Sequence, residues 1–241
     1  MVDLHCHILP TVDDGAKTWE IALQMCAMAW QDGIEHIVAT PHANDEYYYD
    51  RDYLQSLVDK LVAETSGKPK LTLGCDFHFS FDNIQAALEN AGKFTIGNTP
   101  YLLVEFSDYS LPPSIEEHLG KLINIGLKPI ITHPERNPML QRTPERVLHW
   151  VDAGCAVQIT ANSLTGRWGQ KALTTTKWLF EQQAVHILAT DAHSLASRPP
   201  ILSKARDEAA KLVGADVAEK LVTGNPTAVI AGEELPYFPT N

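Results

Sequence analysis

Positive charge is scarce in this sequence. Its 241 residues include 19 lysines and arginines against 30 aspartates and glutamates, so the formal net charge is −11. No long basic run offsets that charge, which makes nucleic acids and anionic membrane surfaces poor candidate partners. Apolar runs of the roughly 20 residues that span a bilayer are missing, and so are the basic and apolar segments of a signal peptide. We therefore expect a cytoplasmic protein without a membrane span.

Paired cysteines are also missing. The four cysteines are Cys6, Cys26, Cys75 and Cys155. They form no Cys-x-x-Cys motif, so we expect free thiols in a reducing compartment rather than disulfides. A cysteine phosphatase needs an arginine six positions after its nucleophile, and the residues at that position here are Val12, Asp32, Phe81 and Ala161. The pattern therefore excludes phosphate transfer through a cysteine thiolate.

Short β-rich runs alternate with helical stretches along the whole sequence. We predict strands at 2–6, 36–40, 71–75, 101–105, 129–132, 156–159 and 186–190. Helices are predicted from Trp19 to just before Gly33 and at 52–64, 83–91, 114–125, 144–153, 171–182 and 203–212. Several strands are almost wholly apolar, as in a parallel sheet that is buried on both faces, and the dinucleotide fingerprint Gly-x-Gly-x-x-Gly is missing after the first strand. The pattern predicts one α/β domain over 1–241, closed or nearly closed as a parallel barrel.

Potential metal ligands follow six of these strands at their carboxyl ends. They are His5, His7, His42, Asp76, His78, Glu105, His133, Asp191 and His193. Active sites of (β/α) barrels gather at this end of the strands, so the side chains should converge. Imidazoles and carboxylates suit manganese, iron or zinc, and their number exceeds the four ligands of a structural zinc. The set indicates two or three metals, an arrangement that favours hydrolysis.

Other histidines and two arginines need separate interpretations. We interpret four histidines as surface or core residues without a catalytic role: His36, His118, His149 and His186. Two of these begin strands, which is the wrong end of a barrel for catalysis. Arg136 and Arg198 follow the motifs of the fifth and seventh strands, and each could grip a phosphate through bidentate hydrogen bonds. Each could equally pair with a surface carboxylate.

These residues together resemble the polymerase-and-histidinol-phosphatase (PHP) family. The matching segments are Asp3-Leu4-His5-Cys6-His7, Val12-Asp13-Asp14-Gly15-Ala16-Lys17, Thr40-Pro41-His42, Leu103-Val104-Glu105-Phe106, His133-Pro134-Glu135-Arg136, Thr190-Asp191-Ala192-His193 and Arg198-Pro199-Pro200. They span nearly the whole chain in family order. Within the family, the sequence is similar to bacterial tyrosine-protein phosphatases associated with capsule and exopolysaccharide synthesis.

The resemblance implies a distorted seven-stranded (β/α) barrel with a trinuclear site, commonly active with manganese. It assigns His5, His7, Glu105 and Asp191 to one ion, Glu105, His133 and Asp76 to a second, and Asp14, His42 and His193 to a third. The family usually has glutamate where this chain has Asp76, so we expect a weaker hold on the second ion or an intervening water. Arg136 and Arg198 match the family's phosphate-gripping arginines. His42 and His193 are candidate proton donors to the leaving group.

The sequence thus predicts a phosphatase that removes phosphate from tyrosines of a bacterial tyrosine kinase, using hydroxide activated by manganese, iron, zinc or magnesium. Two alternatives stay open at this point. One is a phosphatase of the same family that acts on histidinol phosphate or another small molecule. The other is a regulatory protein that binds phosphotyrosine without hydrolysing it.

Overall fold

Parallel strands alternate with helices through residues 1–239, the part of the chain that the computed structural model describes. The strands are β1 Val2–Cys6, β2 His36–Ala39, β3 His42–Ala43, β4 Lys70–Leu73, β5 Asp76–His78, β6 Tyr101–Glu105, β7 Lys128–Thr132, β8 Ala156–Thr160 and β9 Ile187–Ala189. All of their pairings are parallel. The predicted α/β class with parallel strands is confirmed, and each predicted strand is present.

After the second and third predicted strands the pairing is interrupted and then resumes in two short strands, β3 and β5, which the sequence analysis did not predict. β2 stops before Pro41, which has no N–H to donate to a ladder, and β3 begins directly after it. β4 stops before Gly74, where a Cβ atom would lie 2.7 Å from Cγ1 of Val38, so only glycine allows this close approach. Backbone hydrogen bonds from Gly74 to Ala39 and from Asp76 to Pro41 continue the pairing across both breaks.

The strands form a three-stranded sheet in the order β1-β2-β4 and a six-stranded sheet in the order β3-β5-β6-β7-β8-β9. The end of β1 also lies beside the end of β9. Cys6 and Ala192 form a parallel bridge there. The amide of Asp191 donates to the carbonyl of His5, and the amide of His7 donates to the carbonyl of Ala192, both at 2.8 Å. The two sheets are therefore in contact through β1 and β9 as well as through the breaks described above.

The helices are α1 Trp19–Gln31, α2 Arg51–Glu64, α3 Phe81–Glu89, α4 Ile115–Asn124, α5 Glu145–Asp152, α6 Ala161–Leu164, α7 Gly169–Glu181, α8 Ser203–Val213, α9 Ala215–Glu219 and α10 Asn225–Ala231. The seven predicted helices are all present, with ends that differ by no more than two residues. Thr18 caps α1, because its hydroxyl accepts a hydrogen bond from the amide of Ile21. The short helices α6, α9 and α10 were not predicted.

Apolar side chains of the strands fill the space between the strands and below their carboxyl ends. A cluster of buried residues joins Leu4 of β1, Val38 of β2, Leu103 of β6, Ile130 of β7 and Ile187 of β9. Each such side chain stabilises the fold by roughly 1.5–3 kcal/mol relative to an exposed position. A larger cluster packs the outer faces of the strands against the helices. Among residues 1–239, no helix is both long and apolar enough to cross a bilayer.

Candidate metal centre

Imidazoles and carboxylates meet at the carboxyl ends of the strands. Three groups have ligand atoms that all lie within 4.8 Å of one another: His7, Asp14, His42 and His193; His5, His7 and Asp76; and His42, Asp76 and Glu105. Asp191 joins them, since its Oδ1 lies 3.5 Å from Nε2 of both His5 and His7. His133 joins through Glu105, with 3.7 Å between Nε2 and Oε1. The structure thus brings into one cluster the nine residues that the family resemblance assigns to ions.

An irregularity in β1 brings two of these histidines to the cluster. The register of β1 against β2 changes from Asp3 opposite Ile37 to Cys6 opposite Ala39, so β1 has one more residue than β2 over this stretch. Such bulges commonly redirect side chains next to active sites. His5 and His7 consequently both point into the cluster, where their Nε2 atoms lie 3.2 Å apart. Cys6 packs in the outer apolar core instead.

Several buried polar atoms in the cluster have no hydrogen-bond partner. They are both carboxylate oxygens of Asp76, Nδ1 of His42 and Nε2 of His193. Leaving buried polar atoms without a partner costs free energy. Here Nδ1 of His42 and Nε2 of His193 each lie 3.2 Å from a carboxylate oxygen, of Asp76 and Asp14 respectively, without forming a hydrogen bond. Divalent cations would satisfy these atoms, and the mixture of imidazole nitrogens and carboxylate oxygens is one that manganese, iron or zinc accepts. The residues present therefore fit a metal centre.

Asp76 lies at the middle of the cluster and is fully buried. Its Oδ2 is 3.3 Å from Nε2 of His5 and 3.2 Å from Nδ1 of His42. Glu105 also spans two imidazoles, since Oε2 is 3.5 Å from His42 and Oε1 is 3.7 Å from His133. The geometry thus offers two carboxylates, rather than Glu105 alone, that could bridge ions. The assignment of ligands to particular ions stays a prediction.

The cluster is electrostatically divided. Burial opposes charge on His5, but Asp76 and Asp191 outweigh it and raise the pKa of His5 to about 9. Burial and the neighbouring His193 lower the pKa of His7 to about 3. The imidazoles of His193 and His42, 3.2 and 3.4 Å from its Oδ1, hold the pKa of Asp14 well below its ordinary value. Carboxylates held in the ionised form are ready to bind cations, whereas a proton on an imidazole competes with a metal.

Further side chains orient these ligands from behind. Asp13 Oδ2 accepts a hydrogen bond from Nδ1 of His7 at 2.7 Å, and Gln158 Oε1 accepts one from Nδ1 of His5 at 2.9 Å. Such contacts fix the tautomer of a ligating histidine and leave Nε2 free for the metal. The sequence analysis did not identify either residue as functional. The sequence offered a sign for Asp13, because this residue lies in the segment Val12–Lys17 that matches the family. It offered none for Gln158, which lies inside the apolar strand β8.

The two predicted phosphate-binding arginines lie at the edge of the cluster. Both donate to the same oxygen of Asp191, Arg136 through Nη1 and Arg198 through Nη2, the latter at 2.5 Å. Burial opposes the charge of Arg136, but Asp191 raises its pKa. The indole of Trp168 lies against both guanidinium groups, 4.0 Å from the Cζ of Arg136 and 5.5 Å from that of Arg198. The role of the arginines in binding phosphate stays a prediction.

Two cavities open on either side of Asp14. One has a volume of about 440 Å³ and is lined by Asp14, Asn44, Asp45, Glu46, His78, Ser107, Asp108 and neighbouring residues of the cluster. Tyr47 forms part of its wall and stacks on His42, with ring centroids 5.9 Å apart. The other has a volume of about 500 Å³ and is lined by Lys17, His193, Arg198 and the loop between them. Ligands much larger than phosphate can therefore reach the cluster from solvent.

Comparison with known proteins agrees with this geometry. A family model described as capsular polysaccharide synthesis, CpsB/CapC, matches residues 1–231. The chain belongs to this family. It is 30% identical over 241 residues to the tyrosine-protein phosphatase CpsB of Streptococcus pneumoniae, covering 95% of this chain and 98% of that protein. It is 32% identical over 203 residues to the tyrosine-protein phosphatase YwqE of Bacillus subtilis, covering 82% and 79%.

Solved structures extend the comparison. A structure from work on YwqE of Bacillus subtilis and CpsB of Streptococcus pneumoniae, described as unique metal-dependent tyrosine phosphatases, matches with a TM-score of 0.91 and 29% identity over 100% of both chains. A β-aspartyl dipeptidase of Fervidobacterium islandicum matches with a TM-score of 0.59 and 14% identity, over 95% of this chain and 72% of that one. The second match shows a shared fold alone. The predicted resemblance to capsule-associated tyrosine phosphatases is confirmed by the family and by the first structure.

Within this CpsB/CapC family chain, the cysteines and four other histidines lie outside the cluster, whereas Nδ1 of His78 lies at its edge, 3.8 Å from Oε2 of Glu105. All four cysteines are buried and unpaired, and burial raises the pKa of each thiol. The prediction of free thiols is confirmed. His36 bonds to the hydroxyl of Thr72, and His118 bonds to the carbonyl of Ser114. His149 is exposed. These contacts agree with the interpretation of those histidines as structural or surface residues.

Proposed function

We propose that this chain is a metal-dependent protein-tyrosine phosphatase. The observation that carries the proposal is the cluster of nine imidazoles and carboxylates, all but Asp14 buried or partly buried, bordered by two arginines that reach the same carboxylate. The two relatives described above are named tyrosine-protein phosphatases. A thiolate mechanism does not compete, since the buried cysteines with raised pKa are poor nucleophiles.

Two or three divalent ions, most simply manganese, would be held by the nine residues of the cluster. The ligands would be His5, His7, Asp14, His42, Asp76, Glu105, His133, Asp191 and His193. Bound metals of this kind lower the pKa of water to about 7 and stabilise negative charge on phosphoryl oxygens. Asp13 and Gln158 would keep two of the histidines in the tautomer that presents Nε2 to the ions.

The chain's own cations would act on the phosphoryl group. Arg136 and Arg198 lie beside the ligand Asp191, so their guanidinium groups can donate to phosphoryl oxygens at the edge of the cluster. Donors fixed before the reaction stabilise the charge that develops in the transition state without reorganising. His42 and His193 border the two cavities and are our candidates for giving a proton to the departing phenolate.

We further propose that the strands form one closed barrel within a single domain. The breaks in the second and third strands keep their pairing, and β1 contacts β9 through the Cys6–Ala192 bridge. Reading each broken pair as one strand gives the order β1, β2/β3, β4/β5, β6, β7, β8, β9 and again β1. This arrangement agrees with the seven-stranded (β/α) barrel predicted from the sequence, which places the active site at the carboxyl ends.

The substrate that we propose is a phosphotyrosine in the tail of a bacterial tyrosine kinase linked to capsule or exopolysaccharide synthesis. The family's description in capsular polysaccharide synthesis and the names of the relatives support this choice over histidinol phosphate. The cavities of about 440 and 500 Å³ flanking Asp14 leave room for a peptide on both sides of the phosphoryl site. A cytoplasmic location, where kinase tails are accessible, agrees with four unpaired cysteines.

Turnover of three substrates by the manganese-loaded protein tests the proposal. We expect hydrolysis of a phosphotyrosine peptide with a kcat/KM at least about tenfold above that for histidinol phosphate or a phosphoserine peptide, corresponding to roughly 1.4 kcal/mol of discrimination. A preference for histidinol phosphate would favour the small-molecule alternative. Tight binding of the phosphotyrosine peptide without turnover, with manganese at full occupancy, would favour the regulatory alternative.

A further inference from the structure

Among the described residues 1–239, Trp168 is the one aromatic side chain that lies against both arginines of the site. Its ring centroid is 4.0 Å from the Cζ of Arg136 and 5.5 Å from that of Arg198. Both distances are within the range of an attractive cation–π contact. These arginines come from separate parts of the chain, one after β7 and the other after β9. Trp168 and the carboxylate of Asp191 each contact both of them.

The loop that carries Trp168 is tied to the loop that carries Arg198. Arg167 donates through Nη2 to the carbonyl of Ala196 at 3.2 Å. Gly166 and Gly169, which flank Arg167 and Trp168 in sequence, have positive φ angles of 81° and 86°. Glycine adopts such angles without strain. The chain thus makes a turn between α6 and α7 that holds the indole at a defined place beside the site.

Two guanidinium groups this close repel each other unless their charges are offset. One oxygen of Asp191 attracts both, but Asp191 is also a proposed metal ligand, and a bound cation would compete for that carboxylate. The face of an indole attracts cations without competing for their N–H donors. Nε of Arg198 is buried without a hydrogen-bond partner, so a donor remains beside the indole for an incoming anion.

We propose that Trp168 is a positioning residue that holds the guanidinium groups of Arg136 and Arg198 together, so that both engage one phosphoryl group. This inference rests on the proposed function and adds a residue that acts through the arginines. The indole keeps the pair in place when the carboxylate of Asp191 turns to a metal. Trp168 acts only through the arginines and makes no contact with the reacting atoms. Replacing it should therefore weaken phosphate binding by the same factor whatever leaving group the phosphate ester carries.

The experiment compares Trp168→Leu and Trp168→Phe in the metal-loaded full chain. Leucine keeps an apolar cover but removes the ring, whereas phenylalanine keeps a ring face. The first readout is the Kd of inorganic phosphate by calorimetry. We expect Trp168→Leu to weaken phosphate by about 5- to 30-fold, as expected for the loss of two cation–π contacts, and Trp168→Phe to retain most of the affinity. Trp30→Leu is the matched control, because Trp30 is similarly exposed and faces Lys68.

The second readout is a double-mutant comparison with arginine variants. If Trp168 acts through the arginines, Trp168→Leu should weaken phosphate binding much less in a chain that already carries Arg136→Ala and Arg198→Ala. Among turnover substrates, alkyl and aryl phosphates should lose the same factor in kcat/KM. Metal content and thermal unfolding, measured for every variant, identify a variant that has lost its fold. If Trp168→Leu does not fold, the phosphate affinity of Trp168→Phe tests the inference instead.

Wild-type phosphate affinity in Trp168→Leu would overturn the inference. So would an undiminished effect of Trp168→Leu in the arginine-free background, which would mean that Trp168 acts independently of the arginines. A loss confined to aryl phosphates would also overturn it, because the indole would then contact the substrate ring. Failure of the proposed function looks different: the metal-loaded wild type would bind phosphate but hydrolyse no phosphomonoester.

Discussion

His36 and His186 at the amino side of the strands differ sharply from the histidines at the carboxyl ends. His36 bonds to a threonine hydroxyl, and Nδ1 of His186 accepts a hydrogen bond from the amide of Val157. The ring of His186 packs against Phe238, with centroids 4.2 Å apart. At the other end, His42 contacts Asp14, Asp76 and Glu105. Histidine thus packs as a structural residue at the amino ends of the strands, whereas at the carboxyl ends it lies among carboxylates.

Neighbouring charge explains the difference. Burial alone lowers the pKa of His186 to about 4, since no charged group offsets the desolvation. His42 is also largely buried, yet the neighbouring carboxylates of Asp14, Asp76 and Glu105 raise its pKa. Parallel strands bring such acids together at their carboxyl ends, where the connecting loops begin. A histidine's position along its strand therefore says more about its role than its burial does.

Asp76→Asn should have the largest effect on the carboxyl-end cluster. It removes the charge of a fully buried carboxylate that lies close to His5 and His42. We expect the protein to lose at least one metal ion, and turnover to fall by more than the roughly 10- to 100-fold that changes behind the ligands cost. Elemental analysis of the purified variant, paired with phosphotyrosine-peptide kinetics, measures both. Full metal content with normal turnover would remove Asp76 from the ligand set.

Arg136→Ala and Arg198→Ala should each lower kcat/KM by about 10²- to 10³-fold, the usual effect of losing one preorganised donor. The metal content should not change, because neither side chain is a ligand. Arg206→Ala is the control, since that arginine pairs with the exposed Asp207 and should leave kinetics unchanged. Loss of metal from either site variant would mean that the arginines maintain the cluster rather than bind phosphate.

Asp13→Asn should have a smaller effect than either change above. It weakens the 2.7 Å contact with Nδ1 of His7, which orients that ring. Partners of this kind typically contribute 10- to 100-fold to metal affinity or activity. Excess manganese should restore part of the lost turnover. Asp59→Asn, on the exposed face of α2, is the matched control. Equal kinetics for the two variants would argue against an orienting role for Asp13.

His186→Asn should change stability but leave turnover near the wild-type value, because His186 lies far from the cluster. The unfolded histidine, with a pKa near 6.5, binds a proton that the folded one refuses down to about 4. This term therefore destabilises the wild type as pH falls from about 6.5 toward 4. Denaturant unfolding at pH 7.5 and 5 should show the variant's deficit shrinking by about 2 kcal/mol at the lower pH. A deficit independent of pH would contradict the assignment.

Much of this contrast could be predicted from local pattern. Apolar runs gave the strands, and the polar residues directly after them gave the side chains that meet at the carboxyl ends. The strands β3 and β5 were missed, because runs of two and three residues are too short to show an alternating pattern. The helices α6, α9 and α10 are only four, five and seven residues long, too short to show a helical period.

The residues behind the ligands were missed for a different reason. Gln158 meets His5 across 153 positions of sequence, and Trp168 meets Arg136 only because the turn after α6 returns to the mouth of the site. Such contacts depend on how the strands and loops pack together, and no local spacing carries them. Motifs therefore indicated the ligands, while the residues that orient ligands and arginines could be identified only from the three-dimensional structure.

Metal titration of the chelated protein tests the account most directly. Manganese would be added to protein freed of metal, with bound metal and the initial rate on a phosphotyrosine peptide measured in the same samples. Because the cluster offers nine ligands, we predict negligible turnover without metal and a rise that reaches its plateau at two to three ions per chain. Undiminished turnover in protein with less than about a tenth of an ion per chain would contradict the account, which assigns the nucleophile to water activated by metal.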